Sequence, residues 1–446
     1  MKNHTDGQRG QVLVLVALVL VLLMGFAGLA LDGGNIYTDR RSAQAAADTA
    51  ALSGALAVVQ GYGSYQVGEI ARYRAGENGY IDSSTMTVEV YWPPISPHPY
   101  AGDPAYVQVL ITHQLETIFA HFFYDGPFIH TVEAVAHARV NEDLLPGYAI
   151  YADNPMACPG VEFDGTPGTI VRGGGSILSN STRSCTCGAS GAAGVTRGTG
   201  SVQVVDPLGR AGIFSVGCWK QMGSTFISVP PPQGNAGQEA VDAPPLPDCS
   251  GLPDHRSEGD KVFNGAATIA PGRYDSLWVT GHGALTMQPG IYCLSGRLQS
   301  VSPHLAFQID AQGMVNGTDV MIYLESGGGG LRSAGSSTST LLAGDPSGAG
   351  VAELVDASGE DWRGMLLYVH PNNTNVVHLS GGSDSTYTGT IYAPGSHCTV
   401  QGNGAALALN TQMICDTVRI TGTGDIDVNY DPARNYHQKN GVELFH

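Results

Sequence analysis

The stretch GQVLVLVALVLVLLMGFAGLALDGG, residues 10–34, carries no charge between Arg9 and Asp32, and what it is decides how the rest of the chain can fold. As a helix, residues 11–31 rise about 30 Å, the hydrocarbon thickness of a bilayer. Leu and Val fill most of it, and each favours insertion by roughly 0.3–0.6 kcal/mol near the membrane centre. A transmembrane helix over 11–31 is therefore expected. Gly28 and Ala30 supply the small residues of a signal-peptide cleavage site after Ala30, yet the apolar run exceeds the roughly 7–15 residues of a signal core. We expect Val12 to Leu31 to be kept as an anchor.

Basic residues do not settle its orientation, because Lys2 and Arg9 in front compete with Arg40 and Arg41 behind. The cysteines do. Cys158, Cys185, Cys187, Cys218, Cys249, Cys293, Cys398 and Cys415 all follow the apolar segment, an even count suited to a disulfide framework in an oxidising compartment. Residues 1–10 are accordingly read as a cytoplasmic N-terminus and the bulk as exported. Cys185 and Cys187 form the one close pair, with no second CxC or CxxC to complete a zinc thiolate site, so no metal is expected there. Cys398 and Cys415 are expected to bond across adjacent turns of the chain, and Cys158 to bond Cys185 or Cys187. The net charge of −18 and the lack of a Lys/Arg cluster exclude nucleic acid as a partner.

Beyond the apolar run, IYTDRRSAQAAADTAALSGALAVV (36–59) is rich in Ala and free of Pro, and reads as a continuing helix, with Asp32-Gly33-Gly34 as a hinge. Ala43, Ala47, Ala50, Ala51, Gly54 and Ala57 recur at i, i+3 and i+4 and form a face that another backbone can approach closely. Gly25, Gly28, Ala43, Ala47, Ala51 and Gly54 are taken as the assembly face of this helix.

RGQVLVLVALVL followed by GFAGLALDGGNIYTDRRSAQAAADTAALSGA resembles the N-terminal signature of the TadE/TadG-like proteins of tight-adherence (Flp) pilus systems, over residues 8–56. The resemblance implies a membrane-anchored, extracytoplasmic protein of a bacterial envelope appendage. Prepilins cut by prepilin peptidase carry Glu five residues after the cleavage glycine; here Leu15 follows Gly10 at that distance, so cleavage at Gly10 is not expected.

Three runs that alternate with period two follow, at 85–92, 105–112 and 128–140, and predict a small antiparallel sheet against the helix, the arrangement of a pilin. His113, His121, His130 and His137 lie on these runs or beside them without Asp or Glu at ligand spacing, and are expected to be solvated or satisfied rather than metal-bound.

From about residue 150 short apolar runs alternate with glycine turns. Leu379-Ser380-Gly381, Val400-Gln401-Gly402 and Ile420-Thr421-Gly422 recur at 21 and 20 residues, and Pro271-Gly272-Arg273-Tyr274 returns as Pro289-Gly290-Ile291-Tyr292 after 18. Repeats of this length without helices suit the turns of a parallel β-solenoid. Its C-terminal part also resembles TadG-like proteins, with less specific motifs.

Catalytic patterns are weak. Asp356, Ser358 and Glu360 only approximate a metal-dependent adhesion motif, and Asp425, Asp427 and Arg419 fit a solvated strand face as well as a hydrolase centre.

The expected organisation is multi-domain: a transmembrane helix over 11–31, a pilin-like α+β module over 32–145, a mainly β parallel solenoid over 146–435 with loops at 229–258 and 326–350, and a tail over 436–446. The expected function is a non-catalytic structural role in a Tad/Flp-type pilus or cell-surface assembly, without cofactor or metal. Its partners would be the bilayer through 11–31 and other pilus subunits or copies of itself. The alternative is a surface-tethered β-helix adhesin, or a protein that binds or cleaves polysaccharide, with carbohydrate as partner.

Overall fold

The computed structural model describes residues 9–122, 126–139, 144–187, 192–222, 227–241, 243–298, 304–348, 354–381, 384–404, 407–438 and 441–445. The expected cytoplasmic N-terminus lies, up to residue 8, outside the described residues. Two compact units divide the chain: residues 1–141 with 439–446, and residues 142–438.

In the first unit, helix α1 (Arg9–Val59) is unbroken, and the chain stays helical through Asp32-Gly33-Gly34. Its two halves differ in what their side chains meet. Leu18, Leu22, Phe26 and Leu31 are more than half exposed, whereas Ala43, Ala46, Ala47, Ala50, Ala51 and Ala55 are fully buried. The first half is the one stretch among the described residues long and apolar enough to cross a membrane.

The second half packs on helix α2 (Ser64–Glu77) and on a sheet of β1 (Met86–Tyr91), β2 (Tyr106–Leu115), β3 (Phe128–Arg139) and the C-terminal strand Gly441–Phe445. Neighbours in this sheet are antiparallel: Val88 faces Ile111, His113 faces His130, and Ala136 faces Leu444. Period two turns Val107, Val109, Ile111, Val132, Ala134 and Ala136 toward α1. Gly54 is needed at the contact, since a Cβ there would lie 2.9 Å from Val107.

The expected tail over 436–446 is thus corrected: Val442 and Leu444 pack against the core, Arg139 pairs with Glu443 at 2.8 Å, and Gly441–Phe445 completes the sheet.

Among the described residues, the second unit consists of a 17-stranded and a 10-stranded sheet with parallel pairings. Successive trios of strands feed three ladders. In the first ladder Leu379 pairs with Val400, Val400 with Ile420, and Ile420 with Phe163, all four buried in one core. The glycines stack with them: Gly381 pairs with Gly402, and Gly402 with Gly422. Gly422 has φ +118°, with a notional Cβ 2.1 Å from the Gly402 oxygen, so no side chain fits there.

The 18-residue recurrence is offset by two residues from the strand register. Gly272 pairs with Tyr292, a spacing of 20, although the Tyr274 and Tyr292 rings still stack at 6.2 Å.

The second ladder alternates buried and exposed residues, as in Met314–Thr318, where Val315 is buried and Met314 is 45% exposed. The third ladder does not alternate: Gly290–Leu294, Val320–Leu324 and Met365–Val369 are buried on both faces. Its outer face is covered by Leu354, Trp362, Tyr436 and the proline-rich segment 230–258.

That segment is a strap. Along it, Tyr151 Oη donates to the Glu239 carbonyl (2.7 Å), Tyr368 Oη to that of Pro244 (3.2 Å), Asp248 N–H to Asp356 (2.9 Å), and Cys249 bonds Cys293. It is needed because the stacking order is not the chain order. Strand Met413–Gly422 pairs with Thr390–Gly402 on one side and with Tyr148–Ala152 and Val161–Phe163 on the other. The strands from Tyr148–Ala152 to Ile227–Val229 therefore stack beyond the last C-terminal strands, and the chain must travel back to begin at Lys261–Phe263.

The loop expected over 326–350 is also corrected, since it holds strands Gly330–Ser333 and Thr338–Leu342. Leu331 and Leu341 enter the core, and buried hydroxyls replace the missing apolar bulk: Ser333 Oγ donates to the Ser380 carbonyl (3.0 Å), and Ser385 Oγ accepts from the Ser339 N–H (3.2 Å).

Candidate functional site

The buried face of α1 carries two carboxylates among its small residues. Asp32, Asp39, Ala43, Ala46, Ala47, Ala50 and Gly54 follow one another at helical spacings, so the positions before Ala43 point the same way as those after it. Asp32 accepts three backbone N–H bonds, from Ile118 (3.1 Å), Phe119 (2.8 Å) and Ala120 (2.6 Å), and so supplies acceptors for the short helix Ala120–Phe122. Gly28, one turn earlier, lies against Phe119; a Cβ there would come within 2.5 Å of that ring.

Asp39 meets the sheet. His113 on β2 and His130 on β3 are cross-strand partners and share the α1-facing side with Ile111 and Val132. One oxygen of Asp39, Oδ2, lies 2.9 Å from His113 Nδ1 and 2.7 Å from His130 Nε2. Tyr80 Oη donates to the other oxygen at 3.2 Å and contacts the Asp39 carbonyl at 3.0 Å. Burial works against the charge of Asp39, but hydrogen bonds from His113, His130 and Tyr80 outweigh it and hold its carboxyl below the usual range. Burial, with the Asp39 charge beside it, pushes the Tyr80 phenol up to about 12. His130 Nδ1 is buried without a partner among the described residues.

The four histidines thus separate. His113 and His130 converge, while His137 stacks on Tyr106 at 4.6 Å on the opposite face, and His121 sits in the short helix. The expectation that no carboxylate stands at ligand spacing fails here, because Asp39 arrives from a helix 74 residues before His113. The one local signal was an Asp on the small-residue face, four residues before Ala43.

Of the assembly-face residues, Ala43, Ala47, Ala51 and Gly54 are buried within the chain's own first unit, Gly28 meets Phe119, and Gly25 has no neighbour within 4 Å of a notional Cβ. The eight cysteines form four disulfides: Cys158–Cys187, Cys185–Cys218, Cys249–Cys293 and Cys398–Cys415. Cys398 and Cys415 belong to the first and third ladders, and so tie two sides of the second unit.

The remaining polar candidates are engaged in structure. Asp356 accepts from the N–H and Oγ of Ser358 and from the Glu360 N–H, and its other oxygen takes the Trp362 indole and Asp248. Arg419 pairs with Asp164, Asp427 with Arg172 at 3.1 Å, and Asp425 accepts the Gly168 N–H.

Residues 10–57 match the family described as "Putative Flp pilus-assembly TadE/G-like", and residues 254–435 match "Domain of unknown function (DUF7305)". None of the curated proteins compared matches the chain. The competence-associated pilin ComZ from Thermus thermophilus aligns at 12% identity over 82% of this chain and 89% of its own, with a TM-score of 0.25, a likeness too loose to carry an argument. The match over 10–57 covers the apolar half of α1 and its small-residue face together, and with the apolar helix it fits a cell-envelope membrane anchor.

Proposed function

We propose that this protein is a membrane-anchored, extracytoplasmic structural component of a Tad/Flp-type pilus or cell-surface assembly, without catalytic turnover. One observation carries the reading: α1 is a single helix that exposes apolar side chains from Leu15 to Leu31 and whose second half is packed in its own unit, in the residues that match the TadE/G-like family. An exposed Leu/Val surface is stable only in lipid or against another apolar partner. In this reading residues 11–31 span the bilayer with the N-terminus in the cytoplasm, and Gly25 and its neighbours meet other pilus subunits or further copies.

The second unit is then a three-sided parallel β-solenoid, displayed outside the membrane. Its three ladders and the stacked column Leu379, Val400, Ile420 support this. An open hollow of about 920 Å³ lies beside Tyr148, Phe214 and Tyr430, but its lining carboxylate, Asp206, is spent on the N–H groups of Leu208, Arg210 and Ala211. Most glycosidases work with a pair of carboxyl groups flanking the bond, and this hollow offers a single carboxylate that is already bonded, which favours the non-catalytic reading.

Membrane fractionation tests the proposal. The full chain should resist alkaline extraction and need detergent, while a form starting at Asp32 should be released, and loss of the gene should reduce surface filaments. Mature protein beginning at Leu31 or later would contradict the anchor.

A further inference from the structure

The convergence of Asp39, His113 and His130 does more than satisfy three side chains. Their ligand atoms, one carboxylate oxygen and two imidazole nitrogens, all lie within 4.8 Å of one another, and they come from three separate elements, α1, β2 and β3. A first-row divalent cation held at about 2.0–2.1 Å by tetrahedral ligands sets those ligands roughly 3.3 Å apart. The two Asp39 contacts, 2.9 and 2.7 Å, need open by only about half an ångström to reach that spacing.

Three further features favour a cation. Tyr80 holds the second carboxylate oxygen, the outer-shell contact that orients a ligating carboxylate. The three side chains are 20%, 16% and 6% exposed, so the cluster is shielded but not sealed from solvent. The donor set of two imidazoles and one carboxylate, with a fourth position left to water, suits zinc rather than calcium or magnesium, which demand oxygen ligands.

We propose that Asp39, His113 and His130 form a zinc site that clasps α1 to the middle strands of its sheet. The clasp would sit two helical turns beyond Asp32, where the buried face of α1 begins, and would fix the helix against the sheet independently of whatever the second unit does. Each histidine must be neutral and the carboxylate ionised to bind, so one metal displaces the two hydrogen bonds now made to Asp39 Oδ2.

The experiment uses the full chain, purified in detergent without a histidine tag, stripped with chelator and titrated with Zn²⁺ and with Co²⁺. One equivalent should bind with micromolar or tighter affinity, Co²⁺ should give the visible bands of a tetrahedral site, and zinc should raise the thermal midpoint. Asp39→Asn, His113→Gln and His130→Gln should each weaken binding by at least about 100-fold and abolish the shift in midpoint, while His121→Gln should change neither. Binding that survives all three substitutions, or that His121→Gln removes, would overturn the proposal, as would no stoichiometric binding. Should the three variants fail to fold, X-ray absorption of the wild-type zinc complex decides. Two imidazoles and two oxygens at about 2.0–2.1 Å support the site; an all-oxygen or sulfur-containing shell refutes it.

Discussion

The two units solve the same problem in opposite ways. The first is built from neighbours, β1 on β2 and β2 on β3, and then takes its last strand from the far end of the chain, where Val135 faces Phe445. The second is contiguous in sequence, yet its stack is permuted: Met413 pairs with Ile150, and the strap over 230–258 carries the chain back along the third ladder. Residues 142–438 are thus an insertion between two adjacent strands of the first unit, since Arg139 and Gly441 are cross-strand partners. Chain order reports pairing only where pairing is local, and each unit has one join some 260 to 310 residues long that order conceals.

The largest effect should come from the second unit's stack. Val400→Asp places a charge in a column with Leu379 and Ile420 and should cost about 5 kcal/mol, enough to unfold the C-terminal trios. Gln401→Glu next to it, which disturbs a bond to His378 at 3.1 Å, should cost no more than about 1 kcal/mol. Denaturant melts of both variants check this, and equal tolerance would dissolve the stacked column.

The strap comes next. Replacing Cys249 and Cys293 by Ser opens a 44-residue separation and should remove about 4 kcal/mol through chain entropy. Limited proteolysis should then cut within 230–258 before any other part of the second unit. Cleavage elsewhere first would mean that the strap does not hold the permuted stack.

In the first unit, truncation after residue 438 strips Val442 and Leu444 from the core and bares the β3 edge, at a cost of about 3 kcal/mol. Hydrogen exchange should rise along β3 and leave β1 protected. If exchange stays unchanged, the C-terminal strand is dispensable.

The smallest effect is electrostatic. Burial opposes the charge on Asp356, but bonds from the Asp248 N–H, Ser358 and Trp362 prevail and hold its carboxyl below the usual range. With the folded value depressed, its contribution is complete above the unfolded carboxyl pKa of about 4 and is lost as pH falls below it. The thermal midpoint of the second unit should therefore decline below about pH 4, and Asp356→Asn should flatten that decline.

Much of this was legible. Period two marked β1 to β3, Ala at helical spacing marked the packed half of α1, and the 20- and 21-residue intervals coincide with registered neighbours at 379, 400 and 420. What escaped were partners rather than elements. SYQVGEIARYRAGE buries only Val67, Gly68, Ala71 and Ala75, too weak an apolar stripe to announce α2. Nothing near Asp39 names two histidines on distant strands, and GVELF looks like a tail until β3 is in place. The strap reads as loose because its prolines make no ladder, yet Tyr151 and Tyr368 hold its carbonyls.

If residues 142–438 are inserted between two adjacent strands of the first unit, that unit should fold and stay in the membrane without them. Replacing residues 140–440 by Asn-Gly, a two-residue hairpin turn, joins Arg139 to Gly441 directly. We predict that this short protein stays in the membrane fraction until detergent is added, and that the fragment 36–139 with its new C-terminal strand resists protease. A product that is degraded, or that leaves the membrane on alkaline extraction, would contradict it.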